Sequence, residues 1–192
     1  MDDGTRSSLI KTVVMIALVA VVVFAVFFIV VKRGPRDNTT KEESKLTVVD
    51  EIVSLDLDRS YPPTPREEVE LYLRIRQAMY RQSYTDDQFS QMASRLAGIM
   101  DLELLNNQTN WPLSLRDEVY DRKKNDCSIV SFIVDKSDEV KVSNVNGADL
   151  ASLCCILGWR RGTHTDNEKY QFLLRKDSEG RWKILGYEEV AQ

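Results

Sequence analysis

Residues 148–161 read ADLASLCCILGWRR, and the middle of the run is apolar at odd and even positions alike. A strand with one wet side alternates apolar and polar residues. A strand apolar on both sides is covered on both, so this one belongs at the centre of a sheet. Just upstream, Asn146-Gly147 is a tight-turn signal, preceded by EVKVSNV over 139–145, which alternates strictly. CSIVSFIV over 127–134 is β-branched and apolar. Downstream, KYQFLLRK (169–176) and RWKILGYE (181–188) read as a hairpin closed by Asp177-Ser178-Glu179-Gly180. From residue 127 onward the chain is therefore read as a run of antiparallel strands.

The residues before 127 carry the other period. Thr64 is a helix N-cap, Pro65 suits the first helical position and Glu67 completes a capping box. This accounts for YPPTPR (61–66) better than a proline-rich peptide ligand does. The helix is expected over 65–83, with Leu71, Ile75, Ala78 and Met79 on one face. Thr85-Asp86-Asp87-Gln88 repeats the start signal, and Phe89, Met92, Ala93, Leu96 and Met100 follow at helical spacing, predicting a helix over 86–105. A third is expected over 112–124, with Leu115 and Val119 inward and Arg122-Lys123-Lys124 as its solvated end. Helices first and antiparallel strands after them make an α+β layout. TVVDEIVSLDL (47–57) places Val48, Ile52 and Leu55 on one side of a short amphipathic helix. Its acids disfavour anionic lipid, so it is expected to pack on the domain.

Further out lies TVVMIALVAVVVFAVFFIVV at 12–31, uncharged, with fifteen of its twenty residues Val, Ile, Leu or Phe. As a helix it would be roughly 30 Å long, the thickness of a bilayer core. Insertion is favoured by roughly 5–9 kcal/mol. Lys11 and Lys32-Arg33 bracket it, where their heads reach lipid phosphates. A core helix rarely stays apolar on every face, and a signal peptide has a shorter apolar region ending at small residues, whereas Phe27, Phe28 and Ile29 stand here. The expectation is an uncleaved single-pass anchor, with 1–11 a short tail, 32–61 a linker and 62–192 the folded domain. Flanking charge slightly favours a cytoplasmic C-terminal side, but long domains translocate largely regardless of it. The expected location is the cell membrane, with the N-terminus inside and the domain extracytoplasmic.

The first 31 residues hold two acids and two bases of the chain's 30 and 26, so the remainder carries the whole net charge of −4. That mild acidity argues against nucleic acid as a partner. Cys127, Cys154 and Cys155 form no C-x-x-C pair, so neither a zinc site nor a redox motif is expected. Buried free thiols are the simplest reading, with a bridge from Cys127 to one of the pair as the alternative.

Three helices followed by a long sheet ending in Gly180-Arg181-Trp182-Lys183-Ile184 resemble the nuclear transport factor 2-like (cystatin-like) fold, in which helices pack on a curved antiparallel sheet. More narrowly, YPPTPREEV, SYTDDQF and the closing hairpin LLRKDSEGRWKILGY resemble an uncharacterised family of single-pass bacterial membrane proteins, a domain of unknown function. The resemblance covers 56–190. It implies the fold and a bacterial cell envelope, and no activity.

That fold hosts isomerases, dehydratases, hydrolases and non-catalytic modules, so function must be argued from the site. The single histidine, His164, stands in RRGTHTD, which reads as an exposed turn. No H-E-x-x-H, G-x-x-x-x-G-K or Ser-His-Asp order is present. Asp101 and Glu103 read as a charged helix end. No catalytic, cofactor-binding or metal-binding residue is assigned, and no cofactor is expected. Trp159, Tyr170, Trp182 and Tyr187 are the candidates to line a pocket or a sheet-face interface. The expected function is a non-catalytic module binding a protein or small ligand. A tethered isomerase or hydrolase using the cone pocket is the alternative. A buried, partnerless carboxylate in the cone would favour the enzyme, and a cone filled with Leu, Ile and Phe would sink it. The open sheet face also offers a surface for a homodimer.

Overall fold

A computed structural model describes residues 46–191, so the tail, the expected span at 12–31 and the first part of the linker, 32–45, lie outside the described residues. Among the described residues, no helix is long and apolar enough to cross a membrane. The elements in chain order are α1 (Val48–Val53), α2 (Pro65–Arg81), α3 (Asp86–Ile99), α4 (Leu102–Asn106) and α5 (Leu113–Lys124), then β1 (Cys127–Val134), β2 (Lys141–Val145), β3 (Ala148–Arg161), β4 (His164–Lys176) and β5 (Trp182–Val190). The fold is α+β, with an open antiparallel sheet in the order β1-β3-β4-β5.

β3 is the sheet's centre. One edge pairs with β4. The other is shared: β1 lies along Cys155–Arg161 and β2 along Ala148–Ser152, so β1 and β2 run as one interrupted strand. At the interruption the Asp135 N–H donates to the Cys154 carbonyl (2.9 Å), and the Cys154 N–H donates to Asp135 Oδ2 (2.6 Å). The β2–β3 turn places Asn146 at φ 52° and Gly147 at φ 85°, the left-handed pair that a two-residue hairpin needs. β4 begins at His164, five residues before the strand expected from 169. The added residues, HTDNE, lack apolar alternation because most of them face water on an exposed flank. Pairing with the equally long β3 makes them a strand nonetheless.

The sheet's inner face supplies Ile129, Val134, Ala151, Leu153, Cys155, Leu157, Trp159, Phe172, Leu174, Trp182 and Ile184 to the core. The helices supply Val69, Leu73, Ile75, Met79, Phe89, Met92, Leu96 and Ile99. α2 starts as expected in part: Thr64 Oγ1 accepts the Glu67 N–H, with Pro65 in the first turn, but the reciprocal Glu67 bond of a capping box is absent. Full capping boxes occur at Thr85/Gln88 and Thr47/Asp50. α1 packs on α3 through Val49 and Ile52, whereas Val48 is exposed, which shifts the buried stripe by one residue from the expected Val48.

The helix expected over 86–105 is two helices. Met100 turns extended and bridges to Ile184, and the Asp101 N–H donates to the Ile184 carbonyl (2.8 Å). Asp101 then caps α4 and takes a two-pronged bond from Arg175, at 3.0 Å from Nε and also from Nη2. A tertiary bond to the sheet outbids helix continuation at this point, which local spacing cannot register.

Candidate functional site

α2 lies across the inner sheet face, and its Tyr72, Arg76 and Tyr80 recur every four residues, one above the other on the same side. Across from them stand Trp159 on β3, Tyr170 on β4 and Tyr187 on β5, while α5 brings Glu118 and Arg122. These side chains enclose a recess of about 100 Å³ floored by Leu73, Ile129 and Leu157. A second recess of about 110 Å³ shares Tyr72, Arg76, Glu118 and Tyr187, and adds Trp111 and Leu104. Outside the first, an open groove of about 430 Å³ shares Glu118 and Arg122 and runs past Asn125, Cys127 and Arg161.

The polar heart is a network. Arg76 Nη2 donates to Glu118 Oε1 (2.7 Å) and Oε2 (2.8 Å) and to the Tyr80 hydroxyl, which itself donates to Glu118 Oε1 (2.8 Å). Burial pushes the Glu118 carboxyl up, but the Arg76 charge, the bonds from Arg76 and Tyr80, and Arg122 outweigh it, so Glu118 sits below its usual range. The Tyr72 hydroxyl lies 3.1 Å from that of Tyr187. Tyr170 donates to Glu168 (2.7 Å), which Arg161 also holds. The rings stack in a chain: Phe172 on Tyr187 at 5.1 Å, and Tyr72 against both at 5.7 Å. Arg122 lies 4.8 Å from the Trp159 ring, and Trp159 Nε1 has no partner among the described residues.

Of the four residues singled out from the sequence, the structure brings Trp159, Tyr170 and Tyr187 to this recess. Trp182 is elsewhere: its ring is buried in the core under Lys176, and its carbonyl accepts from Tyr61 (2.8 Å). Sequence reasoning missed Tyr72, Arg76, Tyr80 and Glu118. The every-fourth spacing on α2 is the available signal, and the stripe through Leu71, Ile75 and Met79, being the more apolar, masks it. Arg122, expected at a solvated helix end, instead covers Trp159, and Lys123 covers Tyr84 at 4.1 Å.

His164 is exposed at the start of β4. Glu68 is fully buried beside Tyr61 but does not line the recess. The thiols are all free. Cys155 faces inward and burial pushes it up to about 12. Cys127 and Cys155 sit at opposite ends of the β1–β3 pairing, against Arg161 and Val134. At about 3.3 Å per residue that puts them roughly 20 Å apart, beyond a disulfide's reach.

Compared with known proteins, residues 1–187 match a family described as a domain of unknown function, DUF6715. No curated protein matches the chain.

Proposed function

We propose that this chain, which belongs to the DUF6715 family, is a non-catalytic binding module that takes one projecting group of a partner into the Arg76–Glu118 recess. The observation that carries the reading is the recess itself. At about 100 Å³ it is several times smaller than the 300–1,000 Å³ typical of metabolite pockets, yet it lies beside an open groove of about 430 Å³. A groove with a single-residue recess suits an extended chain that inserts one side chain. The acids also support it. Glu118, the carboxylate in the recess, is held ionised by three bonds, whereas a general acid or base needs a proton to exchange near neutrality. Glu68, the buried acid facing a tyrosine, lies away from the recess, which weakens the tethered isomerase or hydrolase reading.

We read the architecture as nuclear transport factor 2-like, with the recess in the mouth between α2 and the sheet. Residues 12–31 would hold the module at a membrane, with 32–45 as the start of its tether and the domain outside a bacterial cell. The outer sheet face exposes Ile133 opposite Ile156, with Leu173 on the neighbouring strand, a surface for a second copy.

The test is site-specific photo-crosslinking in intact cells from full-length protein. A photoreactive phenylalanine analogue replaces Tyr187 at the rim, or Asp138 on the far β1–β2 loop as control. The expected result is a discrete protein adduct from position 187 alone. Equal labelling from both positions, or turnover of a small molecule by the purified protein, would sink the reading.

A further inference from the structure

Resting on that reading of the recess, we infer that the group it accepts is a small carboxylate on a short apolar stem. The argument is a count of donors and acceptors. Arg76 is nearly enclosed, its side chain 12% exposed. Nη2 serves Glu118 and Tyr80, while Nε and Nη1 make no hydrogen bond among the described residues. Neither nitrogen is fully buried, and Arg76 lines both recesses. The paired hydroxyls of Tyr72 and Tyr187 hold two protons for one mutual bond, which leaves one to donate. The protons of Tyr80 and Tyr170 are already committed to Glu118 and Glu168. On the acceptor side, Glu118 takes the Tyr80 proton on Oε1 and shares the two Nη2 protons of Arg76 with the Tyr80 hydroxyl. The recess is therefore rich in free donors and poor in free acceptors.

Charge points the same way. Among the side chains that line the recess, Arg76 and Arg122 outnumber Glu118 by one positive charge, and Glu168 behind Tyr170 is held by Arg161. An ammonium ligand would have to displace Arg76 from Glu118 beside a second guanidinium. An alcohol could answer only part of the donor set. A carboxylate answers it with charge-assisted bonds to the guanidinium. The volume leaves room for about a four-carbon chain against Leu73, Ile129 and Leu157. A free short-chain acid and an acidic side chain share this chemistry.

The test titrates full-length protein in detergent with butyrate, n-butylammonium and 1-butanol, following the Arg76 Nε–Hε resonance and tryptophan fluorescence. Butyrate is expected to bind at least tenfold more tightly than the other two. In Glu118→Gln, which removes the competing carboxylate, butyrate should bind roughly tenfold more tightly still. Arg76→Gln, which removes both the charge and the Nε–H, should lose the preference. Blocked acetyl-Gly-Glu-Gly-amide set against butyrate separates the two sources: tighter peptide binding assigns a partner's side chain, tighter butyrate a free acid. Preference for butylammonium or butanol overturns the carboxylate but leaves the recess as a binding site. No response to any probe, in wild type or Glu118→Gln, overturns the inference and the binding reading together.

Discussion

The Tyr61 hydroxyl has one proton but faces two acceptors, Glu68 Oε1 and the Trp182 carbonyl. Tyr61 donates to Glu68 Oε1 and shares its one proton with the Trp182 carbonyl, while Glu68 Oε2 is buried with no hydrogen-bond partner among the described residues. Burial pushes the Glu68 carboxyl up to about 8; the Tyr61 bond and Lys183 pull it down, and Asp177 pushes it up again. Arg181 and Lys183 lie over the Tyr61 ring at 5.2 and 4.5 Å. The folded protein thus binds a proton that the unfolded chain, with an ordinary carboxyl near 4.5, has released. Stability from this group is full below about pH 4.5 and falls as pH rises toward about 8. The loss across that window is on the order of 3–5 kcal/mol. Glu68→Gln should flatten this slope and leave the protein more stable than wild type at pH 8. Urea midpoints measured from pH 5 to 8.5 check it, and an unchanged slope would remove Glu68 as its source. Within REEVELYLRIR nothing marks Glu68 apart from Glu67 and Glu70. Its position four residues before Tyr72, on the stripe that α2 buries, was the only hint.

At the scale of elements, caps and corners divide into local and tertiary. The α3 start is local: Thr85 and Gln88 exchange bonds, and Gln88 also donates to Asp50 (3.1 Å), tying α1 down. Thr85→Ala should cost about 1 kcal/mol by thermal unfolding. The α3–α4 corner is tertiary. Burial pushes Asp101 up, but the Arg175 bonds, the Glu103 N–H and the guanidinium charge pull it below its usual range. Asp101→Asn should cost about 1.5–3 kcal/mol at pH 7, and less at pH 3, below the ordinary carboxyl value of 3.8, where a lowered carboxyl contributes less stability. Equal losses at both pH values would show that the carboxylate's charge contributes nothing. The Thr85 start is readable in sequence, whereas Asp101 reads there as a charged helix end. The break between the helices is not readable there, because Ile184, which captures Asp101, lies more than eighty residues away.

For the whole molecule, the sheet keeps the thiols apart. Cys154 points to the outer face and Cys155 to the core, and Cys127 lies at the far end of the pairing. Purified protein unfolded without reductant should take up three alkyl groups per chain, and a lower count by mass spectrometry would contradict the register. The proposed topology is checked by protease treatment of intact cells carrying a tag after Gln192. Digestion before lysis places the domain outside, and protection until lysis places it inside.

The α+β class, the helix starts at Thr64 and Thr85, the Asn146-Gly147 turn and the central place of β3 were all determined by the sequence. Each follows from contacts within a few residues or from a periodicity, and such short-range physics is written in residue order. The membrane span expected at 12–31 rests on the same kind of signal. The recess was decided only by the tertiary structure. Arg76 and Glu118 are 42 positions apart, and Tyr72 and Tyr187 are 115. Pattern can place each on an element, but the packing of α2 and α5 across the sheet sets which faces meet. The same holds for Glu68, whose carboxyl is buried and set by Tyr61 and by Lys183 and Asp177 from a distant part of the chain.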